Sequence, residues 1–186
     1  MVTVAMEEAA ASWTEQRANI RVVAEARDLL PVRGISSAGA AGAWITFSRD
    51  MIISLHDILW IRSSTTIDGR GFNITIAGRT IVLSGVTKVI LHNFQINSVG
   101  ESDTVHIFAN SIRVWVDHLT SFDAKRGLVS VLHGSTDVTN FNSHLMNLNF
   151  NMLLGASDAD KQDQHMRVIV YCNWFKDSMQ PMPHCW

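Results

Sequence analysis

The sequence predicts an all-β fold: a solenoid of short stacked strands, preceded by a short helical segment. Three observations carry this. Short β-rich runs recur from Trp44 onward, punctuated by Gly, Asn, Asp and Ser. A repeat is visible: Lys88–Asn93 lines up with Arg113–His118 at an offset of 25, Val114 with Val138 at 24, and Val138 with Val168 at 30. Asn93, Asn142 and Asn173 fall near the same point in successive repeats, where a parallel β-helix stacks asparagines at a turn. A repeat of this length cannot bury its apolar side alone, so coils must stack. The gaps between runs are too short for helices, which argues against a βαβ alternation. The repeat places an up-and-down β-sandwich well behind.

The elements follow in order. Residues 6–30 are rich in Ala, Glu and Arg, with Trp13, Ile20, Val23 and Ala24 at rough helical spacing, and predict a helix. Residues 31–43 read as a Gly/Ala/Ser-rich linker, without the Gly-Lys-Ser/Thr of a phosphate loop. The chain thus divides into 1–43, helix and linker, and 44–186, the solenoid. Within it the expected strands are Trp44–Phe47, Met51–Leu55, Thr65–Ile67, Asn73–Ile76, Thr80–Leu83, Val86–Ile96, Val105–Phe108, Ile112–Val116, Leu128–Leu132, Val138–Phe141 and Arg167–Tyr171. The polar stretch Ser157–Gln164 carries the excess length of the longest repeat and reads as a solvated loop.

Composition excludes several function classes. The chain has 186 residues, 17% of them charged, and a formal net charge of −2. That is enough for one domain with a sizeable core, and it leaves no basic field to hold nucleic acid. No apolar run is long enough to span a membrane. Glu7, Glu8, Glu15 and Arg17 interrupt any apolar leader, so no signal peptide is read. Cys172 and Cys185 make neither a metal cluster nor a disulfide framework; they read as two buried thiols or as one bridge. His133, His144 and His165 lack the spacing of a zinc site. Trp44, Trp60, Trp115 and Trp174 read as core or turn packing.

Several segments occur in a characteristic order: Trp44-Ile45-Thr46-Phe47-Ser48-Arg49-Asp50-Met51, Thr65-Thr66-Ile67-Asp68-Gly69-Arg70-Gly71, Val114-Trp115-Val116-Asp117-His118, Gly127-Leu128-Val129 and Met152-Leu153-Leu154-Gly155. In that order they resemble the pectate lyases, especially those of plants. The resemblance implies a right-handed single-stranded parallel β-helix. It implies cleavage of de-esterified polygalacturonate by β-elimination, with calcium as cofactor. It also implies pectic polysaccharide as the partner, a monomer, and an extracellular or cell-wall location. Family members continue beyond the last matching segment, so the resemblance implies a C-terminally incomplete solenoid. Asp117-His118 is expected to pack a turn.

The chemistry has definite needs. Calcium on the C6 carboxylate stabilises the enolate-like intermediate, and it wants several carboxylate oxygens converging from adjacent coils. An arginine then takes the C5 proton. The resemblance places the first pair of calcium ligands at Glu101 and Asp103, which are both acidic. The second pair falls at Arg126 and Ser130, where neither residue is acidic. The substrate-binding lysine aligns with Phe150 or Asn149. The catalytic arginine aligns with Pro181, in Pro181-Met182-Pro183-His184-Cys185-Trp186, which holds no arginine. The sequence thus predicts a lyase activity lost or much reduced and a weakened calcium site, with Arg126 expected to satisfy Glu101 and Asp103 in place of the metal. One alternative is a non-catalytic carbohydrate-binding or vestigial β-helix. A further one is calcium-independent action on methylated pectin through Arg126. His184 is a weaker candidate for a replacement base.

Overall fold

The computed structural model describes residues 20–24, 42–97, 100 and 102–186. Nineteen strands and one short 3-10 helix cover them. From Ala43 the chain passes through three sheets in fixed order. β2 (Ala43–Phe47) lies in sheet A, β3 (Met51–Ser54) in sheet B and β4 (Leu59–Ile61) in sheet C. The next coil is β5 (Thr66–Asp68), β6 (Ile74–Ala77) and β7 (Ile81–Ser84), followed by β8 (Thr87–His92), β9 (Gln95–Asn97) and β10 (Val105–Phe108). β11 (Ile112–Asp117), β12 (Thr120–Phe122) and β13 (Gly127–Val131) come next. Then come β14 (Thr136–Phe141), β15 (His144–Met146) and β16 (Phe150–Leu154). The last coil is β17 (Val168–Tyr171), β18 (Trp174–Lys176) and β19 (His184–Cys185). Every strand pair is parallel, which makes the domain a parallel β-helix.

Stacking builds the core. One residue per strand points inward at the same height in every coil. In sheet A the column is Ile45, Ile67, Leu91, Val116 and Asn140. In sheet B it is Ile53, Ile76, Ile96, Ser121 and Leu145. In sheet C it is Leu59, Ile81, Val105, Val129 and Met152. All fifteen are buried. The repeat read from the sequence is the strand register itself: Val89, Val114, Val138 and Val168 pair in turn.

The turn from sheet A to sheet B is a column of left-handed residues: Asn93 (φ 59°), His118 (51°), Asn142 (48°) and Cys172 (54°). Asn and His tolerate that conformation better than most residues. This accounts for Asn93 and Asn142. Asn173 stands one position later and does other work: its Oδ1 accepts from Ser143 N at 2.8 Å and its Nδ2 donates to the Asn140 carbonyl at 2.7 Å.

Some expectations need correction. Ile20–Ala24 forms a strand, β1, paired in parallel with β2, where the helix of 6–30 was expected; the rest of that helix and residues 31–41 of the linker lie outside the described residues. The long run Val86–Ile96 is two strands, divided at Asn93. Both cysteines are free, as expected of thiols, but exposed rather than buried. Trp60 and Trp174 are exposed, not packed in a core. The Ser157–Gln164 loop is pinned by buried Asp163, whose carboxylate accepts from the backbone N–H groups of His133, Gly134 and Ala156 at 3.1, 2.6 and 3.1 Å. No helix among the described residues is long and apolar enough to cross a membrane.

Candidate functional site

Sheet C carries the residues that the sequence singled out. Its outward row, opposite to the core column, runs Trp60, Val82, His106, Ser130, Leu153 and His184 in register. Asp103 sits just before β10 and is buried. It reaches across to the next coil, where Ser130 Oγ donates to its Oδ2 at 2.5 Å. His106 Nδ1 lies 2.8 Å from the same oxygen and 3.0 Å from Ser130 Oγ. The backbone of Gly127 lies against the other oxygen of this carboxylate. Burial by itself would push the Asp103 carboxyl up. The bonds from His106 and Ser130, the neighbouring imidazole and the Gly127 N–H outweigh burial and hold it below the usual carboxylate range. A Cβ on Gly127 would stand 2.8 Å from Asp103 Oδ1, so a larger residue there would displace the carboxylate.

Ser130, His106 and Asp103 are the residue types of a nucleophilic triad, but their geometry is different. A triad joins the serine and the acid to opposite nitrogens of the imidazole. Here both meet Nδ1, and the fully buried Ser130 hydroxyl is already given to Asp103. The cluster is a hydrogen-bonded carboxylate rather than an activated serine.

Arg126 is exposed, and Asp103 accepts hydrogen bonds from Ser130 and His106. Glu101 lies outside the described residues. His106 was missed by sequence reasoning. The period-2 alternation of Val105–Phe108 could have placed it on the outer face, three residues from Asp103.

The other candidates fall nearby. Phe150 pairs with Gly127, and its ring meets His184 edge-on at 4.9 Å. His184 in turn contacts Trp186 at 5.4 Å and pairs with Leu153. Pro181 is exposed, on the segment leading into β19. Asp117 and His118 lie elsewhere, at the turn from sheet A to sheet B. Asp117 Oδ1 is 2.6 Å from His118 Nδ1, and Asp117 Oδ2 is 2.9 Å from His92 Nδ1.

The arrangement of three parallel sheets has known relatives. The family model described as pectate lyase matches residues 54–185. The chain belongs to the pectate lyase family. Among the relatives is Putative pectate lyase 21 of Arabidopsis thaliana, 39% identical over 76% of this chain and 40% of its own length. Another is Pectate lyase 2 of Ambrosia artemisiifolia, 34% identical over 76% of this chain and 41% of its own length. This chain therefore spans about two fifths of the length of these relatives. Among solved structures, the cedar pollen allergen jun a 1 superposes with a TM-score of 0.66 at 28% identity, over 78% of this chain and 47% of the allergen. A Xanthomonas campestris pectate lyase variant, at 18% identity and a TM-score of 0.53, shares the fold.

Proposed function

We propose that this chain is a pectate lyase-type β-helix that meets pectic polysaccharide on the outer side of sheet C. In this reading the calcium-assisted β-elimination of (1,4)-α-D-galacturonan is lost or much reduced. The observation that supports it best is that Ser130 and His106 both meet Asp103 at Oδ2. A calcium ligand must offer free oxygen lone pairs, and calcium gathers six to eight oxygens. Here one oxygen of the single described carboxylate at this place already receives two donors. The residues present do not fit the ion: the positions that would complete its shell hold a hydroxyl and a guanidinium, Ser130 and Arg126.

The base is missing in the same way. A general base for the C5 proton is worth about 10²–10⁴-fold in rate, and Pro181 supplies none. Phe150 cannot pair with a substrate carboxylate as a lysine would. An extracellular or cell-wall location accords with the plant relatives.

The test is direct. The unsaturated product absorbs in the ultraviolet, so the chain is incubated with polygalacturonate and with methylated pectin, each with and without calcium. Absent or trace signal on polygalacturonate, unchanged by calcium, is expected. A robust calcium-dependent signal would show that the site is intact in spite of its substitutions.

A further inference from the structure

A second constellation lies away from sheet C, at the corner where sheet A turns into sheet B. Register creates it. His92 closes β8 and Asp117 closes β11, and the two pair directly in adjacent coils. His118 follows in the left-handed turn, at φ 51°. The Asp117 carboxylate therefore stands between two imidazoles, each presenting Nδ1, at 2.9 and 2.6 Å. One ligand atom from each of the three residues falls within 4.8 Å of the others. His92 and Asp117 are buried, while the His118 side chain is 50% exposed. The two rings meet edge-on, with centroids 5.6 Å apart and planes at 79°.

We propose that His92, Asp117 and His118 form a site for a transition-metal cation of the zinc class, held by two imidazole nitrogens and one carboxylate oxygen.

Donor chemistry argues for that class. Imidazole suits zinc, cobalt, nickel and copper, whereas calcium and magnesium want oxygen. Three protein ligands with one side open to solvent leave room for a water in the fourth position. Tetrahedral ligands at about 2.0 Å from zinc stand roughly 3.3 Å apart. From the present 2.6 and 2.9 Å the Nδ1–O separations must lengthen toward that value, and the two nitrogens, within 4.8 Å of each other, must stand as near. Rotation of the half-exposed His118 ring supplies the adjustment. Metal binding needs both Nδ1 atoms deprotonated, and it displaces the proton shared by His118 Nδ1 and Asp117 Oδ1. The surrounding charges do not forbid it. Asp68, paired with His92 from the coil on the other side, is taken by Arg70 through Nε at 2.9 Å and a terminal nitrogen at 2.6 Å. That fork leaves the Arg70 charge largely offset and keeps Asp68 out of the ligand set. A metal there would tie three successive elements, β8, β11 and the turn after it.

The test uses the full chain, freed of metal by chelation, with Cys172→Ser and Cys185→Ser in the background to remove thiolate ligands. Cobalt(II) is titrated and its visible ligand-field absorption followed, then displaced by zinc. The proposal expects saturation at one equivalent with the intensity of a four-coordinate ion, and no competition from calcium. His118→Ala, at an exposed position, should weaken cobalt binding at least tenfold while circular dichroism stays unchanged. His92→Gln should do the same. An absorption that never saturates at one equivalent, or one that His118→Ala leaves unaltered in a folded protein, would overturn the assignment.

Discussion

Ser130 Oγ donates a 2.5 Å hydrogen bond to Asp103 Oδ2, joining two adjacent coils of sheet C. On the proposed reading, a hydroxyl here stands where the resemblance places a second acid, so that a donor and an acceptor satisfy each other in place of two repelling carboxylates that would need a cation between them.

Calcium binding should follow from that contact. The unmodified chain should show no micromolar calcium affinity by calorimetric titration. Arg126→Asp combined with Ser130→Asp should create measurable binding. Opposite unit charges about 4 Å apart near a surface are worth roughly 4 kcal/mol, so replacing a cation and a hydroxyl by two acids reverses the local sign. Without calcium the double variant should be less stable than the parent, and calcium should restore it. Micromolar affinity in the unmodified chain would contradict the reading.

Acid should weaken the fold through three carboxylates. Asp68, Asp103 and Asp117 are each held below the usual value of 3.8. Burial opposes the shift in every case, and hydrogen bonds from Arg70, from His106 and Ser130, and from His92 respectively overcome it. A depressed pKa adds stability that is fully present above the unfolded value and lost as pH falls through the folded one. Urea midpoints should therefore decline below about pH 4. Ser130→Ala should cost about 1–3 kcal/mol at neutral pH. Its deficit should shrink as pH falls through that window, because the Asp103 carboxyl loses its preferred charge in both proteins. A deficit constant down to pH 2 would show that Ser130 does not act through Asp103.

Glycine content at the Thr-Ile-Asp-Gly-Arg-Gly segment can be tested by contrast. A Cβ on Gly69 would lie 2.1 Å from the Asn93 carbonyl oxygen, a backbone atom that cannot swing aside. A Cβ on Gly71 would meet nothing within 4 Å, though its φ of +88° strains any side chain. Gly69→Ala should cost about 2–3 kcal/mol by forcing coils apart. Gly71→Ala should cost nearer 1 kcal/mol, from backbone strain alone. Denaturant midpoints that rank the two in the opposite order would refute the close-approach argument.

These contrasts show why sequence reading reached some features and not others. The repeat was legible because inward residues recur in register: the 25-residue offset that aligned Lys88–Asn93 with Arg113–His118 is a strand pairing. The same offset already placed His92 beside Asp117, but only the backbone showed that both point to one corner. Strands β9, β12 and β15 have three residues each and bury only the middle one, Ile96, Ser121 and Leu145. A single inward residue has no period, so β12 and β15 left no signal and β9 was merged with β8. The partners of Asp103 were illegible for a related reason: hydrogen-bond partners compete by reach and direction, which sequence does not encode.

Activity offers the last and strictest test. Pectate lyase turnover should be undetectable, since Pro181 offers no base and Asp103 is engaged by Ser130 and His106. Restoring one part alone should not suffice. Base and metal act on one transition state, so their effects are strongly non-additive. Pro181→Arg alone should be silent, and so should Arg126→Asp with Ser130→Asp. Only the triple variant should yield a trace of ultraviolet-absorbing product from polygalacturonate, and only with calcium present. The opposing outcome is specific: cleavage of methylated pectin by the unmodified chain without calcium, abolished by Arg126→Ala. Because Arg126 is exposed and Asp103 is satisfied by other groups, that side chain would have to swing onto the substrate rather than onto Asp103. Such a result would replace the closed site described above with an active one built on arginine.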